Sequence, residues 1–482
     1  MIELTLREIA EATGGSLVFG AAGGTPATTV SGLSHTDSRD VTAGSIFFAK
    51  PGEFTDGHLF APQAVENGAA LIVVDHELDL PVPQLVVGDT VSALGALATE
   101  VIARVRANGL LKIIGITGSN GKTTTKNLLR AILERVGPTI APRASFNNEV
   151  GAPITMLEVT EETEFLVAEM GASGIGEITR LVRMARPDIG VVLKVGLAHA
   201  GEFGGIEATL RAKTEMVTDL LATDVAVLNL DDPRVASMAD KTAARVLWFG
   251  LDPRADVRAT NVVSTARGTS FTLVLPAQPV GAASPVPKET VERSVSFRVL
   301  GEHHVMNALA AAASAYVLGV GIDDVVSALE SVQRAERWRM EVMGGSRGVT
   351  VINDAYNASP DSMAAALKTL AQIAGPGERT VAVLGEMSEL GEFSGEEHDR
   401  IGLLAVRLNI GQLVVVGPAA RRMHISTINE GSWDGESLYF DTPDEAFDHL
   451  ASALKPGDTV LVKSSNSAGL RFLGDRLGEL FS

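Results

Sequence analysis

A chain of 482 residues is too long for one hydrophobic core, and its size points to roughly three domains. Hydrophobic residues make up 45% and charged residues 21%; the net charge of −19 argues against nucleic acid or an anionic membrane as a global partner, but not against a nucleotide, whose phosphates need only local positive charge. The lack of cysteine excludes disulfides, thiolate zinc sites and a thiol nucleophile.

The chain starts with an acid where a secretory leader would be basic, and no apolar stretch follows, so a cytoplasmic protein is expected. In the first block, short β-branched runs at 45–50, 70–75 and 84–88 are separated by turn-rich sequence. A second block opens at 112–117 and continues at 164–170, 190–196, 225–230 and 245–250. Helical patterns separate these runs, as in a parallel sheet covered on both faces. From about 256 to 300 the helical signal fades, and an antiparallel insert or edge meander is expected. The uncharged run 305–322 is alanine-rich, carries Asn307 and Ser314 and ends in Gly-Val-Gly. It reads as a helix buried in a soluble domain, not as a membrane insertion. A third block has runs at 349–353, 380–385, 412–417 and 459–463. The expected fold class is therefore α/β in three domains. These are a small N-terminal α/β domain at 1–108, a central doubly wound, mostly parallel sheet at 109–334, and a Rossmann-like domain at 335–482.

The strongest local pattern is Ile116-Thr117-Gly118-Ser119-Asn120-Gly121-Lys122-Thr123-Thr124, where an apolar strand runs into a glycine turn and then a helix expected at 126–136. Gly118 and Gly121 let backbone N–H groups wrap phosphate oxygens, and the helix N-terminus adds partial positive charge. Lys122 would reach the outer phosphates and the Thr123 hydroxyl would ligate Mg²⁺. Strict Walker spacing requires glycine where Ile116 stands, so a general kinase or GTPase reading loses ground, whereas ATP binding stays.

In a doubly wound sheet, ligands sit beyond the carboxyl ends of the strands. Glu169 closes one such run and His199 follows another by three residues. Each has a plain alternative, as a capping or salt-bridged acid and as a loop histidine. Their shared position beside the phosphate loop favours a magnesium site. Lys213 falls within the apolar stripe of a helical pattern at 206–221, formed by Ile206, Leu210, Val217, Leu220 and Leu221. It either snorkels to solvent or is desolvated, which frees a neutral amine able to add CO₂ and become an anionic carbamate.

With these residues in hand, the chain resembles the Mur ligase family over essentially its whole length. The loop Thr117–Thr124 is similar to that family's ATP loop, and Glu169, His199 and Lys213 stand where the family has its magnesium ligands and carbamylated lysine. Thr36-Asp37-Ser38-Arg39, with Asp56-Gly57-His58, resembles the UDP-sugar domain, which implies substrate contacts from Ser38, Asp56 and His58. Phe146-Asn147-Asn148 resembles the substrate-contacting stretch of the D-alanyl-D-alanine-adding member, and no Asp-Asn-Pro-Arg tetrapeptide of the diaminopimelate-adding relatives occurs. Gly301 to Ala308 resembles the segment whose asparagine, here Asn307, meets adenine. Asn353 to Pro360, with Arg339 upstream, resembles the segment that closes over the nucleotide, implying roles for Arg339, Asp354, Tyr356 and Asn357. Three positions depart from the family pattern: His304 replaces asparagine, Asn353 replaces an acid, and Lys463-Ser464-Ser465 replaces Lys-Gly-Ser.

The resemblance implies a monomeric ATP-dependent ligase of peptidoglycan synthesis with two Mg²⁺ ions. Its partners would be ATP, UDP-MurNAc-tripeptide and D-alanyl-D-alanine, with no nucleic acid. Its catalytic groups would be Lys122, Glu169, His199 and an N-carboxylated Lys213. Alternatives are another ligase of the superfamily, such as folylpolyglutamate synthase, or an inactive nucleotide-binding scaffold.

Overall fold

The computed structural model describes residues 1–52, 55–197, 204–266, 268–277, 289–332, 336–375, 377–430 and 433–482. Among these the chain is a mixed α/β protein built on three main sheets, mostly parallel within the central and C-terminal blocks.

The central sheet positions the site. Its nine strands run in the order 290–297, 268–276, 257–265, 245–250, 225–229, 189–192, 112–117, 165–169 and 139–140. Lys112–Thr117 thus lies between Ile189–Val192 and Phe165–Glu169, parallel to both. The chain moves first to one side of it and then to the other, so a crevice opens at the carboxyl ends of these three strands. Residues Ile113 to Thr117 are all buried, as expected for a strand covered on both faces. The expected meander is three strands, Val257–Thr265, Gly268–Pro276 and Thr290–Phe297, the last two pairing antiparallel at the sheet edge.

The phosphate-loop helix is Lys122–Leu133, beginning four residues earlier than expected because Gly121, at φ 87°, completes the turn by itself. The alanine-rich run also differs from a single helix. Glu302–Val317 stops before Gly319, whose φ of 83° breaks it, and Ile322–Ser331 follows. The small side chains of the first let it pack closely on Lys122–Leu133. Among the described residues no helix is long and apolar enough to cross a membrane.

The N-terminal sheet has five strands in the order 16–18, 84–86, 71–74, 46–48 and 34–35. Its core does not end at the sheet. Leu71, Leu97 and Val101 belong to one apolar cluster with Ile113, Met156, Leu166 and Leu181 of the central block. The helix Thr90–Ala107 carries this continuity. The C-terminal sheet has six strands in the order 341–344, 350–353, 458–463, 379–384, 412–416 and 436–440, and its two faces form clusters of their own.

Candidate active site

Gly121 is the tightest point of the phosphate loop. A Cβ there would lie 2.3 Å from Asn307 Oδ1, so only glycine allows the helix Glu302–Val317 to bring Asn307 against the loop. Ser119 fastens the other side. Its hydroxyl accepts from the Gly196 N–H at 2.9 Å and donates to the Gly196 carbonyl at 3.1 Å, while its own N–H donates to the Lys194 carbonyl. These bonds divert the chain after Val192, which is why that strand ends earlier than the apolar run 190–196 implied. Lys122 Nζ donates to the Gly118 carbonyl at 2.8 Å. Burial draws its ammonium below the ordinary lysine value; Glu169 opposes this and Arg339 reinforces it. Thr124 is buried in the first turn of the helix.

Glu169 is the last residue of its strand and only 1% exposed. Its Oε1 accepts from Asn147 Nδ2 at 2.8 Å and from the Thr123 hydroxyl at 3.4 Å. Its Oε2 is buried and has no hydrogen-bond partner among the described residues. A carboxylate oxygen buried without a partner carries a desolvation cost that a cation would offset. Glu169 and Thr123 therefore fit a hard divalent ion such as Mg²⁺.

Lys213 lies in the helix Ile206–Thr218, between Ala212 and Met216 on the buried face, and is 2% exposed. The stripe read from sequence is real, although Leu221 at its end is exposed. Burial, and then the charge of Lys122, pull the Lys213 pKa down to about 7, against the opposing pull of Glu177 and Glu215. Lys213 is near enough to Lys122 to feel its charge, but it is not part of the cleft lining. His199 lies outside the described residues.

The C-terminal block supplies the opposite wall. Asp354 and Lys463 sit at the ends of adjacent parallel strands and form a buried ion pair, Nζ to Oδ2 at 2.6 Å. Asp354 also accepts from the Met340 N–H, and Lys463 also donates to the Asn357 carbonyl. Arg339 stacks its guanidinium over the Tyr356 ring at 4.6 Å and reaches toward the Thr123 hydroxyl at 3.5 Å. Removing one partner of such a buried pair should cost about 3–5 kcal/mol. Asp354→Ala is accordingly expected to lower the thermal midpoint by several degrees in calorimetry, and Asp354→Ala/Lys463→Met to regain part of the loss. A double variant no more stable than the single one would contradict this account.

Between the two walls is a cleft of about 1210 Å³. It brings together Ser119 to Thr124, Asn147, Asn148, Glu169, Asn307, Arg339, Asp354, Tyr356 and Asn357. Ser38, Asp56 and His58 are not in its lining. They are tied into the N-terminal block, where Ser38 donates to Gln63 and Asp56 accepts from both the backbone and Nδ1 of His58.

Two departures from the family pattern have structural accounts. Asn353 is fully buried and turned away from the cleft, donating to the Arg471 carbonyl at 2.9 Å and to Asp475 at 3.0 Å. His304 lines the cleft beside His303, ring centroids 4.2 Å apart, and its Nε2 has no partner among the described residues. Desolvation holds both imidazoles below the ordinary histidine value, His303 at about 4. Sequence reasoning missed the contacts that join the two walls. Ser359 donates to Asn120 Oδ1 at 3.0 Å, and Lys194 pairs with Asp361 at 3.0 Å. The Ser-Pro start of the helix Pro360–Ile373 is a readable capping signal, but its reach to Asn120 is not.

A phosphate cradle at a sheet crevice, with a second α/β block closing against it, defines an enzyme of nucleotide-driven chemistry. The chain belongs to the Mur ligase family. Family models match at residues 32–111 (Mur ligase family, catalytic domain), 116–315 (Mur ligase middle domain) and 338–466 (Mur ligase, glutamate ligase domain). The UDP-N-acetylmuramoyl-tripeptide–D-alanyl-D-alanine ligase of Mycobacterium tuberculosis is 41% identical, covering 99% of this chain and 98% of its own length. That of Escherichia coli is 34% identical, covering 90% and 91%. Among solved structures, MurF from Acinetobacter baumannii superposes with a TM-score of 0.85 at 32% identity, covering 99% of each chain. MurF ligase from Thermotoga maritima in complex with ADP gives 0.77 at 27% identity, covering 94% of this chain and 97% of that one.

Proposed function

We propose that the chain is an ATP-dependent ligase that joins D-alanyl-D-alanine to UDP-MurNAc-tripeptide in peptidoglycan precursor synthesis, working as a monomer in the cytoplasm. The observation that carries the reading is the buried, unpartnered Oε2 of Glu169, whose other oxygen accepts from the Thr123 hydroxyl at the mouth of the phosphate loop. The full-length relatives from Mycobacterium tuberculosis and Escherichia coli support the choice of substrates.

Amide formation from a carboxylate at neutral pH is uphill, so it must be coupled to ATP. The γ-phosphoryl group passes to the terminal carboxylate of the tripeptide, giving an acyl phosphate and ADP. The amine of D-alanyl-D-alanine then attacks the acyl carbon, the amide forms, phosphate leaves and the nitrogen loses a proton. Lys122 and the loop N–H groups would hold the phosphates, Asn307 the adenine, and Arg339, Asp354, Tyr356 and Asn357 the closed nucleotide. Asn147 and Asn148 would contact the acceptor, while Ser38, Asp56 and His58 in domain 1–108 would hold its UDP-sugar end. Domain 109–334 would carry ATP, and domain 335–482 would close over it with the amine substrate. Two Mg²⁺ ions, held by Thr123, Glu169, His199 and N-carboxylated Lys213, would offset the repulsion between γ-phosphate and carboxylate.

The test is phosphate release with each substrate omitted in turn, with the product read by mass spectrometry. Release should require ATP, UDP-MurNAc-tripeptide and D-alanyl-D-alanine together. Release with a folate and glutamate instead, or no release under any combination, would overturn the proposal.

A further inference from the structure

Lys126 is among the largest fully buried side chains in the protein, at 1% exposure, yet the ligase chemistry makes no direct use of it. It stands one helical turn beyond Lys122 in Lys122–Leu133, on the same side of the helix. Its ammonium donates to two carbonyls of a single loop, Pro142 and Ala144, each at 2.8 Å. An aliphatic side chain would fill this space at a lower desolvation cost, so the polar bonds need a reason. The reason lies in the loop, whose inward carbonyls require donors. Ala144 is held at φ 50°, a left-handed conformation that alanine rarely adopts without support.

The residues just beyond Ala144 make that support consequential. The Ser145 hydroxyl is 3.1 Å from that of Thr123. Asn147 donates to Glu169 Oε1 at 2.8 Å, and its carbonyl accepts from the Gly171 N–H at 2.7 Å. The same passage carries Asn148 to the cleft. We infer that Lys126 is a positioning residue for the acceptor substrate, tying segment 142–148 to the phosphate-loop helix so that Asn147 and Asn148 face the reacting carboxylate. This rests on the acceptor role proposed for those two asparagines.

Lys126→Met keeps the length of the side chain and removes its donors. It is expected to raise the KM for UDP-MurNAc-tripeptide about tenfold while leaving the KM for ATP within about twofold. Hydrogen–deuterium exchange should quicken across 142–149 and stay unchanged in Glu302–Val317. Lys126→Gln, which retains a shorter donor, should fall between the parent and Lys126→Met, and it serves as the test if the methionine variant does not fold. Asn148→Ala separates this inference from the reading beneath it. If Asn148→Ala leaves the acceptor KM unchanged, the acceptor role of the loop fails. If Asn148→Ala raises it but the Lys126 variants do not, or if they raise both KM values equally, the positioning role of Lys126 fails.

Discussion

Replacing Lys213 with alanine is expected to lower kcat on the order of 10²–10³-fold, and added formate or acetate to restore part of the loss. Burial is the root cause. A lysine 2% exposed among Ala212, Met216 and Val217 cannot keep its ammonium hydrated, and the neighbouring charge of Lys122 makes a second cation costlier still. With its pKa drawn down to about 7, a substantial share of the Lys213 amines is neutral at pH 7. An unperturbed lysine, near 10.4, is neutral in only about four molecules in ten thousand. A neutral amine adds CO₂, losing one proton to give a carbamate. The change from cation to anion turns the repulsion from Lys122 into attraction. This fixes the sign of the pH effect. As pH falls below about 7 the ammonium returns, so activity in CO₂-depleted buffer should fall at acid pH and recover when bicarbonate is added. Alanine leaves a space of lysine size in which a small carboxylic acid can supply the missing anion. An alanine variant as fast as its parent would remove the carbamate from the mechanism.

Lys122→Met should be at least as damaging, lowering kcat/KM for ATP by about 10³-fold while changing the dissociation constant for UDP-MurNAc-tripeptide by less than about twofold in calorimetry. Lys122 is the loop's own cation, and its Nζ now rests on the Gly118 carbonyl, within the turn that would take the phosphates. Burial draws its ammonium below the ordinary lysine value and Glu169 opposes that pull; a bound phosphate would add further negative charge on the side of the ammonium. Methionine preserves the packing and removes only that charge. Equal losses for both substrates would mean that the variant has disturbed the fold rather than the nucleotide site.

Where a residue's surroundings are local, the sequence was a sufficient guide. The runs 112–117 and 245–250 coincide with Lys112–Thr117 and Arg245–Gly250, and the apolar stripe put Lys213 on the buried face of its helix. The edge strands Glu341–Gly344 and Glu436–Phe440 went unread because they are only partly buried and lack a continuous apolar run. Lys126 was passed over for a different reason. Its burial depends on a loop whose course is set by the sheet, and nothing in its immediate neighbours shows this. The pairing of Lys194 with Asp361 spans 167 positions and could not be inferred from either segment alone.

The apolar cluster shared by the N-terminal and central blocks has a mechanical corollary. Those two blocks are expected to move as one body, because separating them would bring Leu97, Val101, Met156 and Leu181 into water. The C-terminal block has its own cores, and among the described residues of the central block Leu300 enters them. Polar contacts latch it at the cleft, among them Ser359 to Asn120 and Lys194 to Asp361, and water can replace the partly exposed Lys194–Asp361 pair at little cost. In the closure proposed above, a modest preference of bound ATP for the shut form would therefore be enough to bring the C-terminal block in.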